Sequence, residues 1–184
     1  MGNNLIKLNL DNPSTLTDNH HSKIMKEYNE ILDQVLELHE SIDKQYLTPD
    51  TYLYSMEKYQ KKLFESIKKT ENSIYIQDTI NIHETLFNIV IVTLNYLQIQ
   101  DPSKTHISIT TENKELFEKK NNDYGNSFED FKLIGVLVRL NDKINRLITI
   151  LKDSTTQKVN ESLTDTLNDL YNYGIIGLMY KTNN

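Results

Sequence analysis

The sequence predicts an all-α protein, a compact bundle of five to six helices with a loop-capped pocket between the last two long helices. Apolar residues recur at intervals of three and four along several long segments, as in amphipathic helices. Residues typical of helix N-termini precede several of these segments. Only His106–Ile109 has the alternation of a strand, and no second strand is evident to pair with its backbone.

Composition narrows the class of protein. With 38% hydrophobic and 25% charged residues among 184, we expect a globular chain with a real core. A net charge of −6 argues against a general nucleic-acid-binding surface, and the absence of Cys excludes disulfides and thiolate zinc sites. The chain lacks a signal-peptide pattern and an apolar run near the ~20 residues of a membrane span. We therefore expect no membrane contact and a cytoplasmic location.

The first predicted elements follow a polar N-terminal arm. Residues 1–21 are rich in Asn, Thr and Asp and are predicted to be flexible. A first helix is predicted from Ser22 to Tyr46. A second is predicted from Pro49 to Lys69, because Thr48 can cap it and Pro suits a first helical turn.

A third helix, capped by Asp78 or Thr79, is predicted to run to about Gln98, and its apolar middle marks it as the central buried helix. Residues 101–111 are interpreted as a loop, followed by a helix from Glu112 to Asn121. This loop suggests a division into the flexible arm (1–21), an N-terminal helical layer (22–110) and a motif-bearing helical domain (111–184).

Turn-forming residues from Asn121 to Ser127 surround Gly125, which can adopt a positive φ angle. Asn126 or Ser127 can cap the helix that follows, and the free N–H groups at its start would form an anion site. The alternative is an ordinary connection between two helices.

The next helix, predicted from Phe128 to Lys152, places a broad apolar stripe opposite a charged face. That face carries Arg139, Asp142, Lys143 and Arg146. The two Arg residues lie two turns apart and point the same way, so they can hold a phosphate or pair with carboxylates of a neighbouring helix. The alternative is a solvated face with ion pairs between Asp142 and either Arg.

The last helix is predicted to begin near Glu161 and to carry Glu161, Asp165 and Asp169 on one face. These like charges repel one another unless a cation offsets them. Carboxylates at this spacing suit Mg²⁺, so we name all three as metal ligands and Asp165 and Asp169 as catalytic candidates. Alternatively, Glu161 and Asp165 only complement the helix N-terminus, which leaves Asp169 unexplained. Gly174 and Gly177 predict close packing by a helix or a ligand.

Three blocks of the last third, DYGNSF, LVRLNDKINRL and ESLTDTLNDLYNYGI, resemble the nucleotide modification associated domain 1 family. The resemblance implies an all-helical domain of phages, large viruses and bacteria, linked by gene context to nucleotide or DNA-base modification. The positions that it marks are Asp123, Tyr124, Gly125, Arg139, Asp142, Lys143, Arg146, Glu161, Asp165, Asp169, Asn172 and Tyr173.

Two hypotheses follow. In the first, the protein binds or modifies a small nucleotide with the help of Mg²⁺, which the acidic residues hold. Its substrate-binding residues are Asp123, Tyr124, Gly125, Arg139, Asp142, Lys143, Arg146, Asn172 and Tyr173. Among these, Arg139, Lys143 and Arg146 would hold phosphate, and Tyr124 or Tyr173 would stack on the base.

In the second hypothesis, Arg139 and Arg146 pair with Asp165 and Asp169 across the helix interface. The protein is then a non-enzymatic helical interaction module, for which a homodimer is one expected form. The two hypotheses differ in the pocket, since a nucleotide site needs an open cavity with spare hydrogen-bonding groups. The sequence leaves open whether the protein is an enzyme.

Overall fold

The computed structural model describes residues 13–39, 46–71, 73–124, 127–130, 132–152 and 162–180, and in them the chain forms a bundle of six α-helices. In chain order these are α1 (Pro13–Leu38), α2 (Pro49–Glu65), α3 (Thr79–Gln100), α4 (His106–Tyr124), α5 (Lys132–Lys152) and α6 (Leu163–Met179). A short antiparallel hairpin of β1 (Ile67–Lys69) and β2 (Ile74–Ile76) joins α2 to α3. The predicted all-α bundle is confirmed.

The central helix is α3, as its apolar sequence predicts. Residues 89–97 are all buried, and the polar side chains among them have partners. The hydroxyl groups of Tyr52 and Thr93 lie 2.9 Å apart, and the Asn95 amide donates to the carbonyl of Ile91 at 3.0 Å. Because each of these buried polar groups is hydrogen-bonded, the helix can be enclosed on all sides.

Helix α6 packs directly against α3 at two glycines. A Cβ atom on Gly174 would lie 2.5 Å from Cγ2 of Val90, and one on Gly177 would lie 2.8 Å from Cδ1 of Leu86. A side chain at either position would force Val90 or Leu86 to shift, which explains two glycines inside a helix, where they lower helix propensity. The close packing predicted for them is therefore with a helix.

The N-terminal caps of two helices were predictable, because one polar residue stands directly before each amphipathic segment. Thr48 forms a capping box with Thr51 ahead of α2, whose first residue is Pro49. Asp78 accepts a hydrogen bond from the backbone N–H of Asn81 and caps α3. Both caps are as predicted.

The boundaries of the first two helices differ from the prediction. Helix α1 begins at Pro13, well before Ser22, because Pro fits a first helical turn and the polar residues after it continue the helix. It ends at Leu38, and the predicted continuation over residues 40–45 lies outside the described residues. Helix α2 ends at Glu65 rather than Lys69, because the next residues pair as a strand, Ile67 opposite Ile76.

The predicted loop 101–111 is also corrected. Thr105 and Ser108 exchange side-chain to backbone hydrogen bonds of 3.0 and 3.1 Å. This reciprocal pair starts α4 at His106, so the segment interpreted as a possible strand is the first turn of a helix.

Around the predicted turn, α4 extends to Tyr124, and Ser127–Glu129 forms a 3₁₀ turn. Helix α5 begins at Lys132 rather than Phe128. Lys132 itself has a φ angle of 51°, in the left-handed region, so the chain changes direction just before α5. Ser127 lies in the 3₁₀ turn and does not cap α5, whereas Gly125 and Asn126 lie outside the described residues.

One hydrophobic cluster draws buried side chains from every helix of the described chain. Its members include Tyr28 of α1, Met56 of α2, Leu94 of α3, Phe117 of α4, Leu140 of α5 and Leu170 of α6. The division into a layer (22–110) and a motif-bearing domain (111–184) stays a prediction. None of the described helices combines the length and the apolar character that crossing a membrane requires.

Candidate functional site

A cleft of about 330 Å³ opens between α4, α5, α6 and the 3₁₀ turn. It is lined by Phe117, Lys120, Asn121, Ser127, Phe128, Arg139, Asp169, Asn172, Tyr173 and Ile176. The cleft lies between the last two long helices, as predicted, and α4 contributes a further wall.

One wall of the cleft is aromatic. The ring centroids of Phe117 and Phe128 lie 6.2 Å apart with the planes tilted by 46°. Phe117 also stacks on Tyr28 of α1, with centroids 4.5 Å apart. The Tyr180 hydroxyl donates to the main-chain carbonyl of Phe128 at 3.0 Å, which ties the 3₁₀ turn to the end of α6. The wall is therefore held from three elements of the fold.

Beneath this wall, Asn172 belongs to a buried chain of hydrogen bonds. Its Oδ1 accepts from the Tyr28 hydroxyl at 2.6 Å, and its Nδ2 donates to Oδ1 of Asn113 at 3.2 Å. Asn113 in turn donates to Asn168 at 3.2 Å. Burial holds the pKa of Tyr28 well above its ordinary value, so the hydroxyl keeps its proton at neutral pH. The Asn172 amide is thus fixed in orientation by α1 and α4.

Asp169 is the acidic residue of the cleft, and two lysines neutralise it. Its Oδ1 lies 2.6 Å from Nζ of Lys120 on α4, and its Oδ2 lies 2.7 Å from Nζ of Lys143 on α5. The carboxylate side chain is only 15% exposed, so these contacts are partly shielded from water. An ion pair between helices was predicted by the interaction-module hypothesis, but the cations here are lysines and not Arg139.

Arg139 lies on the α5 wall and is exposed. Within the described part of the chain its guanidinium forms no hydrogen bond and no ion pair. Its N–H donors, arranged as a planar fork, therefore remain available to an anion that enters the cleft.

Asn121, at the other side of the cleft, is only 6% exposed. Its Oδ1 atom is buried and has no hydrogen-bond partner among the described residues. Most buried polar groups in folded proteins are paired, so an unpaired acceptor on a residue of the cleft wall is a candidate contact for a ligand or a water molecule.

Asp165 lies at the start of α6 and has a structural partner. It forms a capping box with Ser162, whose hydroxyl and backbone N–H donate to Oδ2 of Asp165 at 2.8 and 3.1 Å. These hydrogen bonds, first the one from the Ser162 side chain, lower the pKa of Asp165. Asp165 does not line the cleft, and its catalytic role stays a prediction.

Four of the residues predicted from the sequence line the cleft: Arg139, Asp169, Asn172 and Tyr173. Lys143 is not one of the lining residues, but it contacts Asp169, which is. Arg146 is half-buried on α5 and is not part of the lining.

The remaining predicted residues are not brought to the cleft by the described chain. Asp123 and Asp142 are exposed on α4 and α5, away from the lining. Tyr124 ends α4, and its side chain is outside the description, as are Gly125 and Glu161 altogether. Their binding or metal roles stay predictions.

The prediction missed the contribution of α4. Phe117, Lys120 and Asn121 lie at intervals of three and four on that helix, so they share a face, and this spacing was readable from the sequence. Tyr28 could not be predicted from local spacing, because it lies on α1, 144 residues before its hydrogen-bond partner Asn172.

Two of the three predicted magnesium ligands, Asp165 and Asp169, lie in the part of the chain that the structure describes. Both oxygens of Asp169 accept from lysines, and Asp165 is held by Ser162. These two groups do not fit a divalent cation as they are placed, because the ammonium groups occupy the positions that it would take. Within the described residues no three His, Asp or Glu side chains form a metal-binding group, and Glu161 lies outside them. Mg²⁺ stays a prediction.

A comparison with protein families gives a match for the C-terminal third of the chain. Residues 120–180 match the nucleotide modification associated domain 1 family. The resemblance predicted for this part of the chain is confirmed. Neither a curated protein nor a solved structure matches the chain.

The match to nucleotide modification associated domain 1 covers the end of α4, the 3₁₀ turn, α5 and α6. Most cleft residues lie in this segment, among them Lys120, Asn121, Arg139 and Asp169. Phe117 and its stacking partner Tyr28 lie before it. The cleft is therefore completed by residues outside the matched segment.

Proposed function

We propose that the cleft binds a nucleotide and that the protein takes part in nucleotide or DNA-base modification. The observation that carries this proposal is Arg139, an unpaired guanidinium on the wall of a cleft that also has aromatic faces. The name of the family that matches residues 120–180 supports the same substrate class.

The cleft offers the two kinds of contact that a nucleotide needs. Phe128 and Tyr173 are partly exposed aromatic side chains on which a base can stack, a contact worth roughly 1–3 kcal/mol per base, and the buried Phe117 supports Phe128 from behind. Arg139 can bind a phosphate with two parallel N–H···O bonds. The chain has a net charge of −6, but among the lining residues that the structure describes Lys120 and Arg139 outnumber Asp169. A small anionic ligand is thus favoured in the cleft of an acidic protein.

The test is a thermal-shift series with deoxynucleotides on the wild type and on Arg139→Ala. We expect one or more nucleotides to raise Tm, and we expect Arg139→Ala to lose most of that shift, because ligand binding stabilises the folded state. Lys119→Ala is the matched control, since Lys119 is exposed on α4 next to Lys120 but does not line the cleft. Adding Mg²⁺ to parallel samples tests the predicted cofactor.

A second candidate function, a helical interaction module, is favoured by the pairing of Asp169 with Lys120 and Lys143. In that case the charged residues hold helices together, and the cleft has no ligand. The absence of a shift with every nucleotide, together with a concentration-dependent dimer in sedimentation, would support this candidate over the first.

A further inference from the structure

We infer that the cleft takes a nucleoside monophosphate in preference to a di- or triphosphate, and that Asn121 accepts a hydrogen bond from its base. This inference rests on the proposed nucleotide site and specifies its substrate class. Three features of the described cleft support it: its volume, its supply of unpaired cations and its one buried acceptor without a partner.

The volume limits the ligand. Small-molecule sites range over roughly 300–1,000 Å³, and the cleft, at about 330 Å³, is at the lower end. A base, a sugar and one phosphate suit a space of this size better than a chain of three phosphates.

The charges limit the number of phosphates. Two cations line the cleft in the described residues, and Lys120 is already bound to the Asp169 carboxylate at 2.6 Å. Arg139, the other of these two cations, is not bound to a carboxylate of the described chain. One guanidinium matches one phosphate group in charge and geometry. Each further phosphate would add negative charge near Asp169 without a cation to offset it, and repulsion would oppose binding.

The position of the base follows from α4. Phe117 and Asn121 are four residues apart on this helix, so their side chains lie on one face. Phe117 is only 4% exposed, so Phe128 beside it is the partly exposed ring of this aromatic wall. A base that stacks on Phe128 would place an edge towards the face of α4 that carries Asn121. Every nucleobase carries at least one N–H donor on its pairing edge. That donor would satisfy Oδ1 of Asn121, the buried acceptor that has no partner in the described chain.

The experiment is calorimetric titration, without Mg²⁺, of a nucleoside and its mono-, di- and triphosphate, with the base chosen by the thermal-shift series. We expect the monophosphate to bind about tenfold or more tightly than the nucleoside, as one charge-assisted contact allows. We expect the second and third phosphates to add no affinity. A triphosphate that binds tenfold more tightly than the monophosphate would overturn the inference but leave the nucleotide site intact. If no member of the series binds, including the nucleoside, the proposed function itself fails.

Two variants separate the two contacts. Arg139→Ala is expected to bring the affinity for the monophosphate down to that for the nucleoside and to leave the nucleoside unaffected. Asn121→Ala is expected to weaken nucleoside and monophosphate by the same factor, about tenfold. Because the Asn121 oxygen has no partner in the free protein, Tm of the unliganded variant should not fall on account of a lost hydrogen bond.

Unchanged nucleoside affinity in Asn121→Ala would remove Asn121 from the base-binding role. Lys119→Ala again serves as the control and is expected to bind the whole series as the wild type does. Arg139 is exposed, so its variant leaves the core intact and keeps the titration decisive even if Asn121→Ala does not fold.

Discussion

Asp169 on α6 connects three helices. One of its carboxylate oxygens contacts Lys120 on α4, and the other contacts Lys143 on α5. With 15% of the Asp169 side chain and 23% of the Lys143 side chain exposed, the contact between them is better shielded from water than an ordinary surface ion pair. The carboxylate also prevents the two ammonium groups from repelling each other across the cleft. Asp169 therefore contributes both to the stability of the bundle and to the charge that a ligand meets.

We predict that Asp169→Asn lowers the free energy of unfolding by about 2 kcal/mol, because charge-assisted hydrogen bonds are lost and two lysines remain close together. Urea denaturation measures the change. Asp142→Asn is the matched control: this carboxylate is exposed on α5, away from the cleft lining, and the substitution should cost no more than about 0.5 kcal/mol. Equal effects of the two substitutions would contradict the role given to Asp169.

At the level of residues, the sequence indicated Asp169 but not its partners. Its position two turns into the helix cannot be explained by the helix dipole, so the sequence predicted a cation, either Mg²⁺ or an Arg, beside it. The sequence favoured Arg139 and Arg146 because they share a face of α5. The structure instead uses Lys143 from that helix and Lys120 from α4, since the relative rotation of the helices is set by core packing that no local pattern contains.

The start of α6 shows how one element is fixed by a local motif. Ser162 and Asp165 satisfy each other's backbone N–H groups, so the N-terminus of α6 is well defined. We predict that Ser162→Ala lowers the free energy of unfolding at pH 7 by about 1 kcal/mol, as other N-cap losses do. Thr164→Ala, an exposed change in the same helical turn, is the control and should have little effect.

This loss should depend on pH. The Ser162 side chain holds the pKa of Asp165 below its ordinary value, so the associated stability is present above the pKa of the unfolded state. It is lost as pH falls through the lower pKa of the folded state. The difference between the wild type and Ser162→Ala should therefore narrow below about pH 4, and a constant difference between pH 7 and pH 3 would argue against the capping box.

Among the elements, helices were predictable where apolar residues recur at helical spacing and one clear capping residue precedes them. The middle of α3 is apolar on most sides, and Thr48 and Asp78 precede their helices as expected. The hairpin was missed because each strand has only three residues and pairing, rather than composition, defines it. The start of α4 was missed because the Thr105–Ser108 pair was interpreted as loop composition, although its spacing is that of a capping box.

For the whole molecule, the shared core implies cooperative unfolding. Four fully buried tyrosines, Tyr28, Tyr52, Tyr96 and Tyr171, lie in α1, α2, α3 and α6 and report on both proposed halves. We predict that urea unfolding followed by tyrosine fluorescence and by far-UV circular dichroism gives the same midpoint. Two separate midpoints would instead support independent units at 22–110 and 111–184.

The glycine contact between α3 and α6 also determines which parts of the cleft can move. At Gly174 and Gly177 the backbone of α6 lies close to the side chains of Val90 and Leu86, so α6 is tightly packed on α3. Asn172, Tyr173 and Ile176 therefore belong to a rigid wall. The opposite wall, α4 and the 3₁₀ turn, is held by the Lys120–Asp169 pair and the Tyr180–Phe128 hydrogen bond. We expect the rate at which a ligand enters to follow how often those two contacts open, and not any motion of α6.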